Sequence, residues 1–239
     1  VSVGAFPISI DVEMFGEASK SAVLDLLKTL DEPETVFLGV DRLDYTKGIL
    51  QRLLAFEELL ESGALEADKA VLLQVATPSR ERIDHYRVSR SQVEEAVGRI
   101  NGRFGRMGRP VVHYLHRSLS KNDLQVLYTA ADVMLVTPFK DGMNLVAKEF
   151  VANHRDGTGA LVLSEFAGAA TELTGAYLCN PFDVESIKRQ MVAAVHDLKH
   201  NPESAATRMK TNSEQVYTHD VNVWANSFLD CLAQSGENS

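Results

Sequence analysis

Val136–Glu149, VTPFKDGMNLVAKE, is the stretch from which the rest of the chain can be placed. The apolar run Asp132–Val136 leads into it and predicts a buried strand. Leu145, Val146, Phe150 and Val151 follow as the apolar side of a helix that starts near Asn144. Pro138, Asp141 and Gly142 between them are turn residues, so the segment is a strand, a tight turn and a helix N-terminus. A helix start carries free backbone N–H groups and a partial positive charge, and so can hold an anion such as phosphate. Gly142 has no Cβ and lets a ligand approach the backbone. Lys140 and Asp141 place one charge of each sign beside it. Glu149 lies in the first turns of the helix, where a carboxylate can reach two vicinal ribose hydroxyls. An ordinary strand-to-helix turn of an α/β fold is the plainer alternative.

Outward from this stretch, strand-like and helix-like segments alternate. Val3–Ile10, interrupted by Pro7, predicts an edge strand or a connector. Ala18–Leu30 has helical periodicity. Thr35–Val40 is a short apolar run, followed by a polar turn and a helix over Gly48–Leu60 with Leu50, Leu53, Leu54 and Leu60 inward. Ala70–Ala76 is the next strand, with a long polar helix near Ser91–Phe104 after it. Val111–Leu115 follows, then a helix opened by Ser120 with Asp123 as its capping box. Gly157 and Gly159 are expected to end the helix that begins at Asn144. Ala160–Ser164 and Ala176–Cys179 are further strands, Asp183 caps a helix to about Lys199, and the rest is mostly helical to Gln234. Six such alternations predict an α/β fold, a doubly wound Rossmann-like parallel sheet with helices on both faces, in a single unit over residues 1–239. Ligands of such sheets bind at the carboxyl ends of the strands. The loops there are Asp41–Lys47, Thr77–Ile83, His116–Ser120, Pro138–Asn144 and Glu165–Thr171.

Charge concentrates in two of these loops. In Asp41–Gly48, DRLDYTKG, Arg42 and Lys47 can converge on one anion, the first as a two-pronged fork and the second as a point charge; a solvated turn with Arg42 paired to Asp44 is the alternative. Thr77–Arg82, TPSRER, places Arg80 and Arg82 after the next strand, for a second anion or for the surface. Glu165–Ala170, EFAGAA, is small enough for close approach of a ligand.

Composition narrows the function classes. Hydrophobic residues make up 45% and charged residues 24% of 239 residues, as in ordinary globular chains. A net charge of −9 and a pI near 5.3 argue against nucleic acid as a main partner. No apolar run approaches the ~18 residues of a membrane span, and no secretory signal pattern opens the chain. Cys179 and Cys231 stand apart, without a C-x-x-C, so neither a disulfide framework nor a thiolate metal site is expected, and a reducing cytoplasm fits. There is no G-x-x-x-x-G-K-[ST] and no G-x-S-x-G. Gly102, Gly105 and Gly108 have the wrong spacing for a dinucleotide fingerprint. His196 and His200 have i, i+4 spacing but lack the companion Glu of a zinc protease. Val at position 1 and a strand-like opening suggest a fragment or a processed chain.

Four segments together are more specific than any one loop: GVDRLDYTKGI (39–49), LLQVATPSR (72–80), VTPFKDGMNLVAKEFV (136–151) and LVLSEFAGAATEL (161–173). In this order they resemble the trehalose-6-phosphate synthases, retaining glycosyltransferases of the two-domain GT-B architecture. The resemblance covers essentially the whole chain but only the C-terminal, donor-binding half of such an enzyme; the N-terminal acceptor domain would be a further part. It implies transfer of glucose from UDP-glucose to glucose 6-phosphate, giving trehalose 6-phosphate and UDP, with no metal required. It implies Arg42 and Lys47 on the diphosphate and Leu119 at the uracil through its backbone. It assigns Asp141 to hydroxyls of the donor glucose and the amides of Gly142, Met143, Asn144, Leu145 and Val146 to phosphate and sugar. Ala147 and Lys148 lie within the same donor-binding segment, Glu149 is placed on the ribose and Arg80 on the acceptor's phosphate. Arg42, Lys47 and Asp141 are the expected catalytic set. A relative with another sugar-phosphate acceptor or nucleotide-sugar donor is the near alternative. A non-catalytic nucleotide-sugar-binding module is the alternative from another class, and a silent pocket would be free to lose Arg42, Lys47, Asp141 and Glu149.

Overall fold

The computed structural model describes residues 4–16, 18–79 and 84–237. Six parallel strands form one sheet: β1 (Thr35–Arg42), β2 (Ala70–Thr77), β3 (Val112–Leu115), β4 (Val133–Val136), β5 (Ala160–Ser164) and β6 (Tyr177–Cys179), in the order β3-β2-β1-β4-β5-β6. The helices are α1 (Lys20–Thr29), α2 (Ile49–Glu61), α3 (Asp84–Phe104), α4 (Lys121–Ala130), α5 (Leu145–Asn153), α6 (Val184–His200), α7 (Pro202–Thr218) and α8 (Val221–Glu237). The doubly wound α/β fold expected from the sequence is therefore the observed one.

Strand side chains alternate between faces, and here both faces are buried. Val36, Leu38, Val40, Leu73, Met134 and Leu163 pack with α4, α5 and α7. Phe37, Leu72, Leu135 and Val162 pack with α2, α3 and α6. This two-sided burial explains why the strands are continuous apolar runs rather than alternating ones.

Local chemistry sets several boundaries as expected. The Ser120 hydroxyl accepts from Asp123 N at 3.1 Å, and Asp123 Oδ2 accepts from the Ser120 side, completing the capping box of α4. Asp183 caps α6 through Glu185 N. Two boundaries differ. The helix α3 begins at Asp84 rather than near Ser91, because Tyr86 adds a buried contact ahead of the Val93, Ala96 and Ile100 stripe. The helix α5 stops at Asn153. His154 caps it with its ring turned inward, while Gly157 (φ +91°) and Gly159 (φ +73°) shape the turn that follows.

The opening segment is a connector, not an edge strand. Its alternate carbonyls leave the sheet alone: Phe6 O accepts from Trp224 Nε1 at 3.2 Å, Ile8 O from Lys148 Nζ at 3.0 Å and Ile10 O from Val221 N at 2.9 Å. It is thereby laced to α5 and α8. Among the described residues no helix is long and apolar enough to cross a membrane.

Candidate functional site

The strand order reverses between β1 and β4, so the connections leaving these two neighbours go to opposite faces and open a crevice at their carboxyl ends. The loop after β1 carries Arg42 and Lys47. The loop after β4 carries Asp141 and runs into α5. The Asp41–Lys47 and Pro138–Asn144 loops thus flank the switch point.

They are physically joined. Lys47 Nζ donates to Asp141 Oδ2 at 2.6 Å, with both side chains mostly shielded from solvent. The same Asp141 oxygen accepts from Asn144 Nδ2 at 3.1 Å. Phe139 N bonds Thr46 O at 2.8 Å and ties the loops through their backbones. Lys47 ends a short 3₁₀ turn whose cap is Asp44, with Asp44 Oδ1 accepting from Thr46 N and Oγ1. Burial raises the Asp44 carboxyl's pKa, but these bonds, the Tyr86 hydroxyl and the charge of Arg42 outweigh it and hold the group below the usual Asp range. Arg42 closes β1 at the same rim with an exposed side chain, next to the buried Asp41 that faces the other way. Asp44 is satisfied chiefly by Thr46 and Tyr86, which leaves little of the Arg42–Asp44 turn considered as an alternative.

Asn144 stands at the head of α5 with φ +81° and is 8% exposed. A non-glycine residue held at positive φ is strained, and Asn tolerates it best. The strain lets Asn144 Oδ1 accept from Ala147 N at 3.1 Å while its amide nitrogen reaches Asp141. The amides of Leu145 and Val146 are the opening donors of the helix, with no intrahelical carbonyl to meet. Gly142 is exposed, and a Cβ there would meet nothing within 4 Å, so the space beside its backbone is open to a ligand.

Glu149 lies on the second turn of α5, where its Oε2 accepts from Tyr128 Oη at 2.8 Å. Tyr128 is buried on α4, and burial together with the Glu149 charge pushes its phenol pKa well up, so it stays a donor. Leu119, in the loop after β3, packs against the core at the head of α4. Met143 O accepts from Ala169 N at 2.8 Å, and Gly168 N donates to Asp141 O at 3.0 Å. The EFAGAA loop therefore braces the site. The missing side chain of Gly168 makes room for the Gly142 carbonyl, not visibly for a ligand.

Lys148 belongs to the same segment by sequence, but its side chain turns away from the crevice. It is 1% exposed and pairs with Glu172 Oε2 at 2.8 Å and with Ile8 O. Arg80 and Arg82 lie outside the described residues. His196 and His200 lie with ring centroids 5.0 Å apart and tilted at 49°, and among the described residues no group of three or more His, Cys, Asp or Glu is placed to hold a metal. Cys179 is buried, which pushes its thiol up to about 12.

The family model of glycosyltransferase family 20 matches residues 1–234. The chain belongs to glycosyltransferase family 20. Among curated proteins it is similar to the trehalose-6-phosphate synthase of Mycolicibacterium smegmatis, 53% identical over 99% of this chain and 48% of that protein. The synthase of Mycobacterium leprae is 52% identical over 98% of this chain and 48% of that protein. Among solved structures it is similar to an α,α-trehalose-phosphate synthase (UDP-forming) from Burkholderia xenovorans in complex with glucose-6-phosphate. That likeness has a TM-score of 0.88 and 36% identity, and covers 96% of this chain and 51% of the other. A trehalose-6-phosphate structure from E. coli bound with UDP-2-fluoro glucose superposes with a TM-score of 0.86 at 36% identity. The chain spans about half the length of the curated relatives it matches.

Sequence reasoning on this member of family 20 missed a buried polar cluster beneath the crevice: Arg52, Asp41, Gln74 and Thr137. One signal pointed to it. Gly39 and Gln74 interrupt two otherwise apolar strands at positions that are direct partners across the β1–β2 ladder.

Proposed function

We propose that this chain forms the nucleotide-sugar (donor) domain of a UDP-forming α,α-trehalose-phosphate synthase. The enzyme moves glucose from UDP-glucose to glucose 6-phosphate and yields trehalose 6-phosphate and UDP. The observation that carries the reading is the Lys47–Asp141 contact in the switch-point crevice beside the start of α5. Family membership and the ligands held by the Burkholderia and E. coli relatives support it.

In this reading the diphosphate enters between Arg42, Lys47 and the amides of Leu145 and Val146. Lys47 exchanges Asp141 for phosphate oxygen, which frees Asp141 to accept from hydroxyls of the donor glucose. The backbone from Gly142 to Lys148 follows the phosphates and sugar, with Ala147 already bound to Asn144. Glu149, oriented by Tyr128, takes the ribose hydroxyls, and the Leu119 backbone faces the base. Arg80 serves the acceptor phosphate. The glucose C1–O bond to the diphosphate breaks, and C1 joins the anomeric oxygen of glucose 6-phosphate on the same face. The hydroxyl proton passes to the departing phosphate oxygen. Negative charge grows on the leaving diphosphate, where Arg42, Lys47 and the helix start stabilise the transition state more than the ground state. These groups supply the positive charge that a metal would otherwise bring, so no metal is needed. The acceptor side is contributed by a further domain, and the enzyme works in the cytoplasm.

An assay of UDP release from UDP-glucose by the full-length protein tests the reading. Release that depends on glucose 6-phosphate is expected, and none from residues 1–239 alone. Full-length protein that binds UDP yet transfers to no sugar phosphate would make it a binding module instead.

A further inference from the structure

Arg52 is the largest fully buried side chain in the molecule's described part, at 0% exposure. Such a group is retained only when every donor is met, and its partners show what it does. Its Nη1 donates to Asp41 Oδ2 at 2.6 Å and to Gln74 Oε1 at 3.3 Å. Its Nε donates to Thr137 Oγ1 at 3.1 Å, and its Nη2 donates to Lys47 O at 3.1 Å. Thr137 Oγ1 in turn lies 3.3 Å from Gly48 O. One planar guanidinium thus spans the end of β1, the middle of β2, the first residue after β4 and the backbone that carries Lys47.

The sequence is arranged around this guanidinium. A Cβ on Gly39 would collide with Arg52 Nη1, so the mid-strand glycine is the space the guanidinium fills. Gly48 adopts φ +63°, and a Cβ there would strike the Thr137 carbonyl. Gly39 gives up strand stability to make room for the guanidinium, and Gly48 lets the start of α2 close on Thr137, a partner of that guanidinium. Asp41 neutralises the buried charge, so Arg52 adds little potential to the crevice. What it adds is position.

Building on the proposed UDP-binding role of the crevice, we propose that Arg52 is a positioning residue for the diphosphate: it fixes the Lys47–Gly48 backbone against Thr137 and so sets where the Lys47 ammonium meets the phosphates. Arg52→Lys keeps the charge beside Asp41, but a compact ammonium cannot also reach Thr137 and Lys47 O.

The test is UDP titration calorimetry on folded variants, with thermal melting in parallel. Arg52→Lys is expected to weaken UDP binding about tenfold, a loss of about one charge-assisted contact. In a Lys47→Ala background the same change is expected to weaken it by less than about threefold, because the group it positions is gone. Ile100→Ala, a cavity on α3 far from the crevice, is expected to lower the melting temperature and leave UDP affinity unchanged. If Arg52→Lys does not fold, Thr137→Val takes its place with the same expected non-additivity. Unchanged UDP affinity in Arg52→Lys, or a full tenfold loss in the Lys47→Ala background, overturns the positioning role. Absence of UDP binding by the wild type overturns the functional reading beneath it.

Discussion

Lys47 Nζ and Asp141 Oδ2 meet at 2.6 Å between loops 94 residues apart in sequence. Asp141 thereby neutralises the Lys47 ammonium, and a diphosphate bound as proposed would compete with Asp141 for it. Asp141→Asn removes that competitor and its repulsion. UDP affinity is expected to rise several-fold, while transfer of glucose falls by two orders of magnitude or so as the sugar loses its carboxylate. Calorimetry with UDP and the transfer assay read the two effects separately.

Lys148 and Glu172 form a buried pair, and removing one member of such a pair strands the other charge. Lys148→Met should cost about 3 kcal/mol in urea denaturation. It should leave UDP affinity near the wild-type value, since the side chain faces Glu172 and Ile8 and only its backbone lies in the proposed donor segment. A marked loss of UDP affinity at full stability would place the ammonium in the crevice instead.

Gly39→Ala drives a methyl into the guanidinium of Arg52. Overpacking and a displaced buried charge together should destabilise the fold by about 3 kcal/mol. The midpoint of chemical denaturation checks this.

His154 is 3% exposed, with Nε2 donating to Tyr128 O and Nδ1 against Thr158 Oγ1. Burial holds its pKa below the ordinary 6.5, even though Tyr128 O and Asp156 pull it upward. The unfolded chain therefore gains a proton near pH 6.5 that the folded chain refuses. Stability is full above that pH and falls as pH drops below it, by up to about 1.4 kcal/mol per pH unit. His113, also depressed by burial, adds to the slope. His154→Gln should flatten the decline between pH 6.5 and 5 without removing the share due to His113. Denaturation midpoints across that range measure it.

The fold was readable because each strand is a short apolar run and each helix carries a periodic stripe, with Ser120 and Asp183 announcing their helices by cap chemistry. That the Asp41–Lys47 and Pro138–Asn144 loops lie at strand carboxyl ends followed from the fold class, but the Lys47–Asp141 contact depends on β1 and β4 adjoining, which only the strand order shows. The direction of individual side chains did not follow. Lys148 sits one residue before Glu149, and helix phase turns it toward the connector, a partner invisible to local pattern. Arg52 lies in an amphipathic helix where a cation reads as a solvated face. Only the coincidence of Gly39 and Gln74 across a ladder, which requires the strand register, reveals the space made for it. The connector resembled a strand because it is extended, and its carbonyl partners come from α5 and α8 rather than from a neighbouring strand.

The central claim is that Arg42, Lys47 and the start of α5 grip a nucleotide's diphosphate. UDP titration of the wild type and of Arg42→Ala/Lys47→Ala addresses it most directly. Two charge-assisted contacts of about 1.5–3 kcal/mol each predict an affinity loss of about 100-fold or more in the double variant. Equal affinity in the two proteins would contradict the account.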